Sequence, residues 1–179
     1  MSITSGWDTV ARYLWRMPSS VLADAAAVGR FPNTLQALAR GYRAAESIRS
    51  LTGNSDPWVI AALLGVPVEH HEQPPVAELT PGVRSEYECE GRRVLIYTQP
   101  LARLAAVMRR QAPRLRYLDL GGLHLAHELY HYLEHCRPDL AAAPDQDSPR
   151  LSELAAHAFT QALLDLDFFP AELDSLAGA

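Results

Sequence analysis

His124-Leu125-Ala126-His127-Glu128-Leu129-Tyr130-His131-Tyr132-Leu133-Glu134-His135-Cys136 is the stretch on which the reading of this chain turns. It contains no Pro or Gly, and its leucines recur every four residues, so it predicts a helix. Side chains four apart on a helix stand one turn above each other, which brings the imidazoles of His127 and His131 together at one point. Two such imidazoles suit one zinc ion. Glu128, about 100° further round the helix, can reach a water on that ion without ligating it, which is the place of a general base. At about 100° per residue, His124, His127, Glu128, His131, Glu134 and His135 share one arc, and Leu125, Leu129, Leu133 and Cys136 lie opposite.

A catalytic zinc site takes three protein ligands and leaves one position to water, so a third donor is needed. Arg137 occupies the place where an extended metzincin-type motif would put a third histidine, which excludes that class. The next helical run, Ser148 to Leu166, opens with a Ser-Pro pair suited to an N-cap and first turn. Glu153, His157 and Thr160 share one face of it, while Ala156, Phe159, Ala162 and Leu163 make the apolar face. Glu153 is read as the third ligand, with His157 as the competing donor on the same face.

At these residues the chain resembles the ImmA/IrrE family of metallopeptidases. Leu123-His124-Leu125-Ala126-His127-Glu128-Leu129-Tyr130-His131 is similar to that family's F-T-L-A-H-E-L-G-H. Glu153-Leu154-Ala155-Ala156-His157-Ala158-Phe159 is similar to its E-x-x-A-N-x-F-A, whose leading Glu is taken as a zinc ligand. The chain departs at Tyr130 (usually Gly), His124 (Thr), His157 (Asn) and Asp165-Leu166 (commonly Met-Pro). The resemblance spans about residues 55 to 166. It implies a compact, cytoplasmic, gluzincin-like peptidase acting on a protein substrate, often a helix-turn-helix transcriptional repressor.

The rest of the chain accords with a small globular protein. Its 179 residues suit one domain with an appended helical arm, and 48% apolar residues can build a core. The net charge of -5 argues against nucleic acid as a direct ligand. All 16 basic residues are Arg. Cys89 and Cys136 lack any disulfide or zinc-knuckle spacing and are expected as free thiols. Met1 to Met17 lacks a basic and then apolar leader, and the longest apolar run, Trp58 to Val68, is too short to span a bilayer. The expectation is a cytoplasmic protein that binds no membrane.

Residues 1–52 are expected to form an N-terminal helical region packed on or extending a metallopeptidase domain of residues 53–179. Asn33 or Thr34 is expected to cap a helix through Leu35, Leu38, Tyr42, Ala45 and Ile48. Leu22 to Gly41 faintly resembles a repressor-type helix-turn-helix, but Phe31-Pro32 interrupts the turn and only Arg residues are clustered. Ser55-Asp56-Pro57 opens a short apolar helix ending at Gly65, followed by a strand over Val66 to His71 and a Pro-rich loop over Gln73 to Gly82. Arg84 to Cys89 and Arg93 to Thr98 are expected to form a hairpin about Glu90-Gly91-Arg92. An amphipathic helix over Pro100 to Gln111 follows, then the cluster Arg109, Arg110, Arg114 and Arg116, whose functional reading is a dock for an acidic partner. The fold class is thus α+β, a mostly helical domain with a small antiparallel sheet of about three strands beside the H-E-x-x-H helix; the resemblance makes it zincin-like.

The expected chemistry is hydrolysis of a peptide bond with one zinc ion on His127, His131 and Glu153, and Glu128 as base. His157, Tyr130, Tyr97 and His124 are candidates for steadying the oxyanion or supporting the ligands. The alternative is a catalytically silent metal-binding module that holds a repressor or toxin without cleaving it.

Overall fold

Proline and glycine punctuate the chain where the elements change. The computed structural model describes residues 11, 13, 31–75, 82–141 and 148–177. A long helix α1 (Phe31–Thr52) leads to a short apolar α2 (Pro57–Leu64). Asp56 caps α2 by accepting from the Trp58 N–H, and Gly65 closes it in the left-handed conformation at φ 68°. Strands β1 (Val68–His71), β2 (Ser85–Glu88) and β3 (Arg93–Tyr97) come next, then helix α3 (Thr98–Gln111) and a 3-10 turn, Pro113–Leu115. The long helix α4 (Leu120–Cys136) carries the histidines; short α5 (Pro138–Ala141), α6 (Pro149–Leu163) and α7 (Glu172–Ala177) complete the described elements. The architecture is α+β. Among the described residues no helix is long and apolar enough to cross a membrane.

The three-stranded sheet is mixed, which corrects the expectation of an antiparallel one. Its order is β1-β3-β2: β2 and β3 form the expected antiparallel hairpin, but β1 runs parallel to β3, with Val68 opposite Val94 and His71 opposite Tyr97. The cause is burial. β3 is the most apolar strand, with Val94, Leu95, Ile96 and Tyr97 all buried, and takes the centre. The chain between β1 and β2 is long enough to cross to the far side and return as a hairpin, which leaves β1 parallel to the centre.

Helix boundaries also move. α1 already includes Phe31 and Pro32, so Asn33 and Thr34 lie inside the helix and do not cap it. α3 begins at Thr98, with Pro100 in its first turn, where its missing N–H has no partner to lose. α6 ends at Leu163, short of Leu166, where Asp165 turns to φ 49°. The strand expected from Val66 starts at Val68. Of the helix expected within residues 1–30, all but 11 and 13 lies outside the described residues, as do Leu22 to Arg30 of the helix-turn-helix length. Cys89 and Cys136 are free thiols.

The main core joins α1, α2, α4, α6 and the sheet, so residues on both sides of the expected boundary at 52/53 share one interior. Tyr42 on α1 donates to Gln161 on α6 at 2.9 Å, and the Gln161 amide donates to the Phe168 carbonyl at 3.1 Å. A second cluster gathers Leu104 and Met108 of α3, Leu123 of α4, and Leu166, Phe168 and Leu173.

α1 and α6 approach with backbone nearly touching backbone. A Cβ at Gly41 would stand 2.1 Å from the Ala155 carbonyl oxygen and 2.8 Å from the Phe159 nitrogen. Only glycine fits there, and the neighbouring Ala37, Ala44, Ala45, Ala155 and Ala158 keep the seam narrow. Gly41→Ala is therefore expected to destabilise the protein by about 1–3 kcal/mol, since neither backbone can yield cheaply. Chemical denaturation followed by circular dichroism measures it; an unchanged midpoint would contradict this packing.

Candidate metal centre

α4 and α6 lie side by side, and their facing sides bring three of the sequence-predicted residues together. His127 Nε2 stands 3.1 Å from Glu153 Oε2, His131 Nε2 is 3.4 Å from Glu153 Oε1, and the two imidazole Nε2 atoms are 3.2 Å apart. One ligand atom from each lies within 4.8 Å of the others, close enough to hold a metal ion. The helical spacing sets the two imidazoles one above the other, while Ser148 fixes the start of α6 by accepting from the Leu151 N–H and so sets where Glu153 falls. The histidines are largely covered, at 13% and 15% side-chain exposure, whereas Glu153 at 56% sits at the mouth.

His131 is gripped from behind. Its Nδ1 lies 3.2 Å from Glu134 Oε2 and 3.3 Å from Ser152 Oγ, and Ser152 donates to that same carboxylate oxygen. A carboxylate on one ring nitrogen favours the tautomer whose other nitrogen, Nε2, is free to bind a metal. Burial alone would lower the His131 pKa, but hydrogen bonds to Glu134 and Glu153 outweigh it and hold it up at about 10. Hydrogen bonds to His127 and His131 hold Glu153 well below the usual carboxylate range. The cluster is thus built to attract positive charge, whether proton or cation.

Glu128 is nearly buried and points beside the cluster rather than into it. Ser85 Oγ on β2 donates to its Oε1 at 2.7 Å, and lies 3.4 Å from His124 Nδ1. β2 is an edge strand, and Arg84, Ser85, Glu86 and Tyr87 line the same cleft as His127, His131 and Glu153. The other candidates divide. His124 and His157 line the cleft; burial, with the charge of His127 next, pushes each down to about 3, so both rings are neutral at ordinary pH. His124 Nε2 and His157 Nδ1 are sealed from solvent without a hydrogen-bond partner among the described residues. The His157 ring packs against that of His127, centroids 4.8 Å apart. Tyr97 and Tyr130 are not among the side chains lining the cleft. Tyr97 is buried in β3 with its hydroxyl on Glu86, and Tyr130 is buried in the core against Phe159.

His135 stands apart from the metal cluster, its Nδ1 on the His131 carbonyl at 2.9 Å. Sequence reasoning did not assign roles to Ser85, Ser152 or Glu134. Glu134 could have been found, since it follows His131 by three residues on the ligand face. Ser85 carried no signal, because its contact with Glu128 exists only once the sheet docks on α4. Compared with protein-family models, with curated proteins and with solved structures, the chain matches none.

Removing Glu153 should cost metal retention far more than removing His135. With zinc titrated into purified Glu153→Ala, His135→Ala and Glu134→Gln proteins, the first should lose stoichiometric binding. The second should bind as wild type, and the third should bind about 10- to 100-fold more weakly. Equal retention by Glu153→Ala and wild type would remove Glu153 from the ligand set.

Proposed function

We propose that the protein is a zinc-dependent metallo-endopeptidase of the zincin-like type, working in the cytoplasm on a protein substrate such as a helix-turn-helix repressor. The observation that carries this reading is the meeting of His127, His131 and Glu153 from two helices with Glu128 alongside. Donors about 2.0–2.1 Å from a tetrahedral ion stand about 3.3 Å apart. The 3.2 Å between the two imidazole Nε2 atoms matches that spacing, Glu153 meets one imidazole with each of its oxygens at 3.1 and 3.4 Å, and two imidazoles with one carboxylate are a donor set that zinc accepts. The resemblance of these segments to ImmA/IrrE metallopeptidases supports the same class and supplies the kind of substrate.

When bound, zinc supplies a Lewis acid that lowers the pKa of water toward about 7 and polarises a carbonyl. The chain's own residues do the rest. Glu128, with Oε1 occupied by Ser85, has Oε2 left to take the proton from the attacking water and to hand it to the departing amine. The pair gives the carboxylate one orientation, which a proton carrier at hydrogen-bond range requires. Of the oxyanion candidates, His124 and His157 are the two that line the cleft, both with neutral rings. The free edge of β2 runs along the cleft, where an extended substrate backbone can add as a further strand. Holding by main-chain pairing, whatever the side chains, suits cleavage within a protein.

Zinc-loaded protein incubated with a proteome-derived peptide library should generate new termini detectable by mass spectrometry. Glu128→Gln should keep its zinc and lose cleavage by a factor of at least about 100, since general-base assistance is worth about 10²–10⁴-fold. Ser85→Ala should keep zinc and lose less, lowering kcat rather than raising KM. No new termini from the zinc-loaded wild type, or undiminished cleavage by Glu128→Gln, would overturn the assignment.

A further inference from the structure

Beyond the metal centre, the segment from Thr98 to Leu118 holds five arginines and no acidic residue, in a chain whose net charge is -5. Arg103, Arg109, Arg110, Arg114 and Arg116 are all exposed. None of them forms an ion pair with a described residue. Arg116 lies over the ring of Tyr117, 4.5 Å from its centroid, and Tyr117 itself is 82% exposed. So concentrated a positive field, with no ion pair among the described residues, raises the local concentration of anionic partners.

Beside it the second core cluster opens to solvent. Between the 3-10 turn and α7 lies a groove of about 510 Å³, with Leu115, Phe168, Leu173 and Leu176 as its apolar lining and Arg114 on its rim. Among the described residues its acidic lining residue is Glu172, engaged in the turn before α7, where it accepts the Phe169 N–H at 3.0 Å. Leu173 lines both this groove and the metal cleft, so the two are neighbours sharing a wall.

The geometry points to this groove as the docking site for an acidic, amphipathic segment of a protein partner, whose apolar side chains enter between Leu115 and Leu176 while its carboxylates meet Arg114, which lines the groove, and the exposed Arg110, which precedes the lining residue Gln111 in the chain. An amphipathic helix laid in an apolar groove is an established mode of recognition, and complementary charge at the rim sets its orientation. Nucleic acid fits less well. The bases of a single strand stack on exposed aromatic faces, and the groove itself offers aliphatic side chains with Phe168 already buried, the exposed Tyr117 lying outside its lining. The inference stands apart from peptide hydrolysis, because the groove shares no metal ligand and can hold a segment whether or not the cleft cuts it.

The test uses the full chain and a displayed library of random peptides about 16 residues long, enough for a helix of about 24 Å. Enriched peptides, fluorescently labelled, are titrated against wild type, the double variant Arg110→Glu/Arg114→Glu, and Arg43→Glu on α1 as a control away from the groove. All three positions are exposed, and thermal melts verify that the variants fold. Enriched sequences should pair Asp or Glu with large aliphatic residues at helical spacing, and bind about tenfold or more weakly to the double variant. They should bind Arg43→Glu nearly as wild type and resist competition by duplex DNA of about 20 base pairs. Failure to enrich any peptide, enrichment of uncharged or basic sequences, or unchanged affinity for the double variant would overturn the proposal. So would tighter binding of the DNA, which would make this a nucleic-acid surface.

Discussion

The structure depends on how closely α6 can lie against the helices on either side of it. On one side, Gly41 lets the backbone of α1 approach the Ala155 carbonyl at a distance no Cβ could share. On the other, α6 meets α4, and Glu153 arrives within 3.4 Å of both imidazoles. A carboxylate side chain is short, so α6 has to be near before Glu153 can reach. The alanines of α6 and the glycine of α1 therefore act on the site from a distance, by fixing how far apart the helices stand. The hydrogen-bonded chain Tyr42, Gln161 and the Phe168 carbonyl ties the far end of α6 to α1 and to the chain after it, leaving little freedom for rotation.

Within that frame the electrostatics are uneven by design of the sequence. Three carboxylates, Glu128, Glu134 and Glu153, surround two largely covered imidazoles, and each has its own restraint. Glu134 is held by Ser152 and His131, Glu128 by Ser85, and Glu153 by the imidazoles themselves. Such a cluster is costly to bury without a compensating cation, which is why the surroundings raise the affinity of His131 for a proton. His124 and His157 behave oppositely. They lie close by yet stay neutral, because burial and the charge of His127 both oppose protonation. On one helix, His124 thus stays neutral while His131, two turns further on, accepts charge, according to what packs on each.

This sorting marks the limit of what the sequence discloses. The three residues of the candidate metal centre were legible because helical periodicity is local: His127 and His131 converge by helix geometry, and the polar face of the second helix singles out Glu153 with His157 as its rival. The hairpin was legible too, from two β-rich runs and a turn between them. The parallel pairing of β1 was not, since it follows from which strand wins the centre of the sheet, a competition settled by burial. Nor was the removal of Tyr97 and Tyr130 from the cleft. Tyr130 neighbours His131 in sequence, but one residue is about 100° of helix, and that step carries it into the core against Phe159.

The register of β2 links the sheet to the chemistry. Side chains alternate along a strand, and here Ser85 and Tyr87 face α4, meeting Glu128 and Cys136, while Glu86 and Glu88 engage Tyr97 and Arg93 of the next strand. A slip of one residue would turn Ser85 away from Glu128 and set a glutamate against it, two like charges where a hydroxyl now donates. The Arg93 guanidinium, bridging Glu88 and Glu69, locks β3 to both of its neighbours and so resists that slip. An edge strand free to pair with another chain is a liability unless its register is fixed from the paired side. Here the fixed side also aims the carboxylate: the edge strand whose residues line the cleft is the one whose Ser85 holds Glu128 in position.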